Sequence, residues 1–176
     1  MKNIFIIITL LISFCTFSQD SNFLISENGF RQIKLRSNIN DYNFFEKKNQ
    51  NNEKYFGLLG SSYEYVYVGD EYTKIGETDI FRIFVNTHDN LIYDILVVTA
   101  KDYNLWKTIE IAYGKPTVSD KSMKGWYPGK IRCRIWGQAE YYNYYWIEYE
   151  DVELKDLASS KKVKDDKAKA EDQFKK

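Results

Sequence analysis

Two apolar runs, Ile80–Val85 and Leu91–Thr99, are separated only by a short polar stretch that holds His88, Asp89 and Asn90. So few residues can reverse a strand. They cannot carry the chain across a sheet, because a parallel pair needs a crossover of about a dozen residues or more. The pair is therefore read as an antiparallel hairpin. Leu91–Thr99 is almost unbroken in apolar and β-branched residues, the pattern of a strand covered on both faces. This hairpin is expected at the centre of the sheet.

Further strands are expected on either side of it. Phe30–Leu35 reads as a first strand and Tyr55–Leu59 as another. Tyr63–Val68 places a tyrosine at every second position, and Lys74–Thr78 is interrupted by Gly76. Trp126 ends a strand. Tyr127-Pro128-Gly129-Lys130 has proline and glycine at the central positions of a type II turn, and the strands Lys130–Trp136 and Tyr141–Tyr149 follow. Two helices are expected. One starts after Ser37-Asn38 and carries Ile39, Tyr42, Phe44 and Phe45, with Lys47 and Lys48 in its last turn. The other is capped by Asp102, buries Tyr103, Trp106, Ile109 and Ile111–Tyr113, and ends at Gly114 ahead of Pro116. Residues 19–28 read as a loose arm. From 150 onward aromatics almost vanish and lysines alternate with acids, so 150–176 is a charged tail, helical or disordered, whose Leu154 and Leu157 can dock a first turn. The fold class is α+β: a curved antiparallel sheet of about seven to eight strands packed on two helices, with 19–149 as a single domain.

The N-terminus sets the compartment. Met1 and Lys2 precede an apolar run from Ile4 to Ile12, and Thr16-Phe17-Ser18 closes the segment. The run is too short for a bilayer core, which needs ~20 residues, and fits the apolar region of a secretory signal. Cleavage is expected after Ser18, with export to the periplasm or the exterior. An uncleaved anchor, a buried core strand and lipidation at Cys15 are the alternatives; Phe14 is a poor residue before a lipidated cysteine. Removing eighteen residues from 176 leaves 158, enough for one domain, without a transmembrane segment. Loss of Lys2 takes the net charge from zero to −1, so no basic excess exists to neutralise nucleic-acid phosphates. Cys133 is then the only cysteine. It alternates with Ile131 and Ile135, which places it on a buried face without a disulfide partner.

Few residues carry chemistry. His88, the one histidine, lies in a turn where polar residues belong. No Gly-x-Ser-x-Gly elbow accompanies it. One histidine and one cysteine far apart do not make a zinc site. Asn38–Asn43 alternates oxygen donors but lacks the glycine and terminal glutamate of a calcium loop. Gly57-Leu58-Leu59-Gly60 lacks the Lys-Ser/Thr of a phosphate loop. No catalytic residue, metal ligand or cofactor is assigned.

The segments Gly29–Leu35 and Tyr103–Pro116, with Leu91-Ile92-Tyr93 opening a strand after a turn, resemble landmarks of small exported proteins from Bacteroidetes-type bacteria. Those proteins often carry glycine where Arg36 stands. The resemblance covers roughly 29–149 and implies export and fold, with no activity attached.

Aromatic residues are the functional clue. Tyr63, Tyr65 and Tyr67 are expected on one strand face, and Tyr142, Tyr144 and Trp146 on one face of the last strand. Exposed rows of this kind stack on sugar rings or anchor a partner protein, whereas buried ones only pair across strands. The preferred reading is a non-enzymatic exported module that binds a protein or glycan partner of the cell envelope through these residues. A small periplasmic hydrolase using dispersed carboxylates or His88 is one alternative. A structural or inhibitor-like partner, docking its C-terminal helix elsewhere, is the other. When the full chain is expressed in a bacterial host, N-terminal sequencing of the extracytoplasmic form should begin at Gln19. A product that begins at Met1, or carries lipid mass on Cys15, would contradict that cleavage.

Overall fold

A computed structural model describes residues 21–57, 60–137 and 143–174. The expected signal peptide, its cleavage point, and Tyr141 and Tyr142 lie outside them. The architecture is α+β, built on an open antiparallel sheet of nine strands. In chain order come α1 (Ser21–Glu27), β1 (Gly29–Phe30), β2 (Ile33–Lys34), a 3-10 turn (Ile39–Asp41), β3 (Phe45–Lys47) and a second 3-10 turn (Glu53–Tyr55). Next are β4 (Tyr65–Tyr67), β5 (Lys74–Ile75), β6 (Thr78–His88), β7 (Leu91–Ala100) and α2 (Tyr103–Tyr113). The chain continues through β8 (Val118–Ser119), β9 (Met123–Trp126), β10 (Ile131–Trp136), β11 (Tyr144–Asp151) and α3 (Val152–Phe174). The sheet runs β3-β4-β6-β7-β11-β10-β9-β8, with β5 paired beside β6. β1 and β2 form a separate hairpin.

The expected central hairpin is β6–β7, with His88 opposite Leu91. Asp89 and Asn90 both hold positive φ, 49° and 67°. A two-residue hairpin loop of this hand needs that conformation twice, and Asp and Asn tolerate it best among side-chain-bearing residues. One sheet face buries Ile83, Val85, Ile95, Val97, Ile135 and Ile147 beneath α1, α2 and the β1–β2 hairpin, which contribute Leu24, Ile33, Leu105 and Ile109. Asp102 caps α2 as expected: its carboxylate accepts from the Asn104 N–H (2.8 Å) and the Thr78 hydroxyl (2.7 Å). Gly129 has the positive φ of 60° that the Tyr127–Lys130 turn requires.

Five local expectations are corrected. In α2, Tyr103 and Ile111 are exposed rather than buried, and Leu105, Ile109 and Tyr113 form the buried face. Phe30–Leu35 is not one strand. Arg31 turns left-handed (φ 56°), which folds the segment into β1–β2 and sends both Phe30 and Ile33 into the core. The helix over 39–48 is replaced by a 3-10 turn and β3. Asn38 still caps, accepting from the Asn40 N–H at 3.0 Å, but Phe45 is drawn into register opposite Tyr67, where Tyr42, Phe44, Phe45 and Tyr67 pack ring against ring. Packing thus overrides a weak helical spacing. Of the strand expected over Tyr55–Leu59, Tyr55 ends a 3-10 turn instead, and Leu58 and Leu59 lie outside the described residues. The loose arm is α1, held by the fully buried Leu24. The helices packed against the core are therefore α1 and α2.

The tail is helical. β11 runs through Asp151, and α3 begins at the next residue. Asp151 Oδ1 accepts from the Leu154 N–H at 2.9 Å, closing the first turn. The fully buried Asp151 carboxylate is also held by Arg36, whose Nε lies 2.6 Å from Oδ2 and whose Nη2 lies 3.2 Å from Oδ1. Arg36 further pairs with Glu153 at 2.6 Å, and Lys130 with Glu153 at 2.8 Å. Leu154 is buried as expected, whereas Leu157 is half exposed. Arg36 makes these pairs from a left-handed backbone (φ 66°), which costs a side-chain-bearing residue about 1–2 kcal/mol. Among the described residues no helix is long and apolar enough to cross a membrane. Arg36→Gly should relieve that strain yet still destabilise the protein in urea by about 1–2 kcal/mol, with Arg36→Ala worse, because Asp151 is left buried without its partner. A glycine variant as stable as the parent would show that the pair does not anchor α3.

Candidate functional site

The second sheet face follows from register. Phe84 lies opposite Val66 and Leu96, Val98 opposite Trp146, and Trp146 opposite Trp136. Phe56 and Tyr63 close over Phe84 at ring distances of 5.7 and 5.6 Å. Gly60 permits this: a Cβ there would sit 2.5 Å from the Phe84 ring. Trp136 and Trp146 stack at 6.1 Å.

The six expected aromatic residues do not form one surface. Tyr63 is buried on the second face. It precedes β4, in a turn where its N–H bonds to the Gly60 carbonyl (3.0 Å), so the strand's alternation does not reach it. Tyr65 and Tyr67 pack half-buried against the opposite, α1–α2 side. Tyr67 stacks on Tyr72 at 5.3 Å, and its hydroxyl accepts from the Glu71 N–H at 3.1 Å. Trp146 is buried and Tyr144 exposed, both on the second face. Thus Tyr63, Tyr144 and Trp146 share a face, and only Tyr144 of the three reaches solvent.

Two bulges in the β6–β7 ladder add residues that alternation misses. Ile80 and Ile83 both pack into the first-face core, which leaves Phe81 and Arg82 together on the second face. Likewise Ile92 and Ile95 are both in that core, and Tyr93 and Asp94 lie together opposite. Phe81 (43 % exposed) meets Tyr144 (37 %) edge-on at 5.3 Å, and Arg82 lies 5.7 Å over the ring of Tyr55 (40 %). An exposed strip Tyr55–Arg82–Phe81–Tyr144 results.

The second bulge builds a buried acid patch. Asp94 stands directly opposite Glu150, with Glu148 two residues along the same strand, and all three are buried. Arg134 bonds to Glu148 and lies 3.8 Å from Glu150. Lys155, from α3, bonds to Glu150, and Arg132 lies 3.7 Å from it. Asp94 is less well served. Its Oδ2 accepts from Asn86 at 3.3 Å, and its Oδ1 has no partner. Burial, and then the neighbouring Glu148, push the Asp94 carboxyl up to about 7. Burial also raises Glu148, and it raises the Tyr93 hydroxyl to about 12.

The remaining candidates are quiet. His88 lies 3.7 Å from the exposed Asp89 at the hairpin turn. Cys133 is fully buried, and burial pushes its thiol up, away from the reactive thiolate. Among the described residues no group of His, Cys, Asp and Glu is placed to hold a metal ion. No family model matches the chain, and no curated protein or solved structure matches it.

The Asp94 carboxyl fixes a pH dependence. Unfolded, it releases its proton near pH 4; folded, it keeps it to about 7. Between those values the folded state holds the extra proton, so raising the pH costs stability across that window and no more above it. Asp94→Asn removes this loss. The variant should match its parent near pH 4 and exceed it by roughly 1–4 kcal/mol at pH 8 in urea unfolding. A gain independent of pH would contradict the assignment.

Proposed function

We propose that the protein is exported, cut after Ser18, and acts outside the cytoplasm as a non-enzymatic module binding a protein or glycan ligand of the cell envelope. The strip Tyr55–Arg82–Phe81–Tyr144 is the observation that carries this reading. Its rings are too exposed to serve the core, and they stand beside a guanidinium, a combination suited to gripping a partner. Phe81 and Tyr144 sit on β6 and β11, either side of the central strand β7, so little freedom remains to be lost on binding.

A small hydrolase is the second reading, favoured by the high protonation range of Asp94 beside Glu148 and Glu150. Arg134, Arg132 and Lys155 already engage the two glutamates, which supports a structural use of those acids instead. A photo-crosslinking residue in place of Phe81 tests the binding reading, with one in place of the exposed Tyr103 on α2 as control. On intact cells, position 81 should give discrete adducts that disappear when Tyr144 is changed to serine. Equal labelling from positions 81 and 103, or none from 81, would reject the strip as a ligand surface.

A further inference from the structure

A groove of about 770 Å³ separates α3 from the turn end of the β6–β7 hairpin. It is distinct from the aromatic strip. α3 leaves the sheet at Asp151 and meets it again where Lys161 lies 2.8 Å from Asp89, and the helix between these points forms one wall of the groove. Its floor comes from β6, β7 and the β4 region: Glu64, Tyr65, Asn86, Thr87 and Tyr93. These groups are held in place. The Asn86 Oδ1 accepts from the Glu64 N–H at 3.0 Å, and the Thr87 hydroxyl donates to the Glu64 carboxylate at 2.7 Å. The second bulge presents Tyr93 here. Ser159, Lys162 and Asp165 line the helix side.

The lining narrows the ligand. Lys47, Lys161, Lys162 and Lys169 are matched in number by Glu64, Asp89, Asp165 and Asp166, so a polyanion or polycation gains no net field. Apart from tyrosine rings, Ala158 is the only apolar residue of the lining, which leaves no pocket for a peptide's apolar anchors. Donors and acceptors are dense, and the ring of Tyr93 stands among them. A saccharide has this complement: hydroxyls that donate and accept all round, an apolar ring face for an aromatic neighbour, and no charge. The volume falls within the ~300–1,000 Å³ usual for small-ligand sites.

We propose that this groove is a binding site for a short uncharged oligosaccharide, held by Tyr93, Asn86 and Glu64 on the sheet and by Ser159 and Lys162 on α3. The test is an amide-shift titration of the ¹⁵N-labelled protein with cellobiose, diacetylchitobiose and maltotriose, alongside trialanine and pyrophosphate. At least one sugar should give saturable shifts at Glu64, Thr87, Tyr93, Ser159 and Lys162. Tyr93→Phe should weaken that binding roughly three- to tenfold through loss of one hydroxyl. Ser159→Trp, on the exposed helix side, should abolish it by filling the groove while the remaining spectrum stays folded. Absence of saturable shifts with all three sugars at millimolar concentration would overturn the proposal. So would sugar shifts confined to Phe81 and Tyr144, or a response only to trialanine or pyrophosphate. Because these readouts lie away from the strip, the groove and the strip can fail separately.

Discussion

Insertion of β11 between β7 and β10 is the pairing on which the molecule depends. It aligns Tyr144–Glu150 with Asp94–Ala100, residues some fifty positions earlier, and on its other edge receives the whole of β10. Without it, β8–β9–β10 would be a separate meander and the β6–β7 hairpin would keep one open edge. The cost of closing so long a loop is met only once the strand has partners on both sides. Both faces of β11 are then buried, Ile147 and Tyr149 toward the helices and Trp146, Glu148 and Glu150 away from them. Asp151, the next residue, caps α3. One strand therefore joins the two halves of the sheet, supplies three of the four buried acids among the described residues, and launches the C-terminal helix.

The second face is where this sheet departs from simple alternation, and two bulges are the reason. An ideal β6–β7 ladder would turn either Phe81 or Arg82, and either Tyr93 or Asp94, toward the helices. Each bulge holds both residues on the outer face without disturbing the isoleucines around them: Ile80 and Ile83 in one strand, Ile92 and Ile95 in the other, all pack inward. The exposed aromatic strip and the floor of the groove thus arise by the same device at opposite ends of one hairpin.

This explains what could be read from the residues and what could not. The antiparallel α+β class, the central hairpin, α2 with its Asp102 cap and the burial of Cys133 follow from turn length, apolar runs and capping chemistry, all of them local. The helix over 39–48 fails because Phe45 gains more from lying opposite Tyr67 than from a short helical turn. Counting in twos places Tyr63 with Tyr65 and Tyr67, yet the strand begins after it, so its ring crosses to the other face. Phe81 and Arg82 escape because a bulge has no period, and Tyr55 because it sits in a 3-10 turn in place of the expected strand. The Asp94–Glu148–Glu150 patch escapes for a different reason: pairing of β7 with β11 is non-local, and nothing near Asp94 announces Glu150 as its neighbour.

α3 shows why the charges on the second face are retained. Leu154 is its one buried apolar side chain among the described residues, and beyond Ala158 the helix is exposed. An apolar seam of that size would leave its angle and register loose. Charged partners specify both. Asp151 fixes the first turn by capping it and pairing with Arg36, Lys155 fixes the rotation through Glu150, and Lys161 fixes the direction through Asp89. The Lys161–Asp89 pair is exposed and contributes little stability by itself, about 0–1 kcal/mol, but together with the two pairs to the buried Asp151 and Glu150 carboxylates it defines a line along the start of the helix. Arg36 and Asp94 are the two places where that definition opposes stability, one through a left-handed backbone and the other through a carboxyl deprived of water. Both sit where α3 and the sheet must meet in a single arrangement for the groove between them to keep its shape.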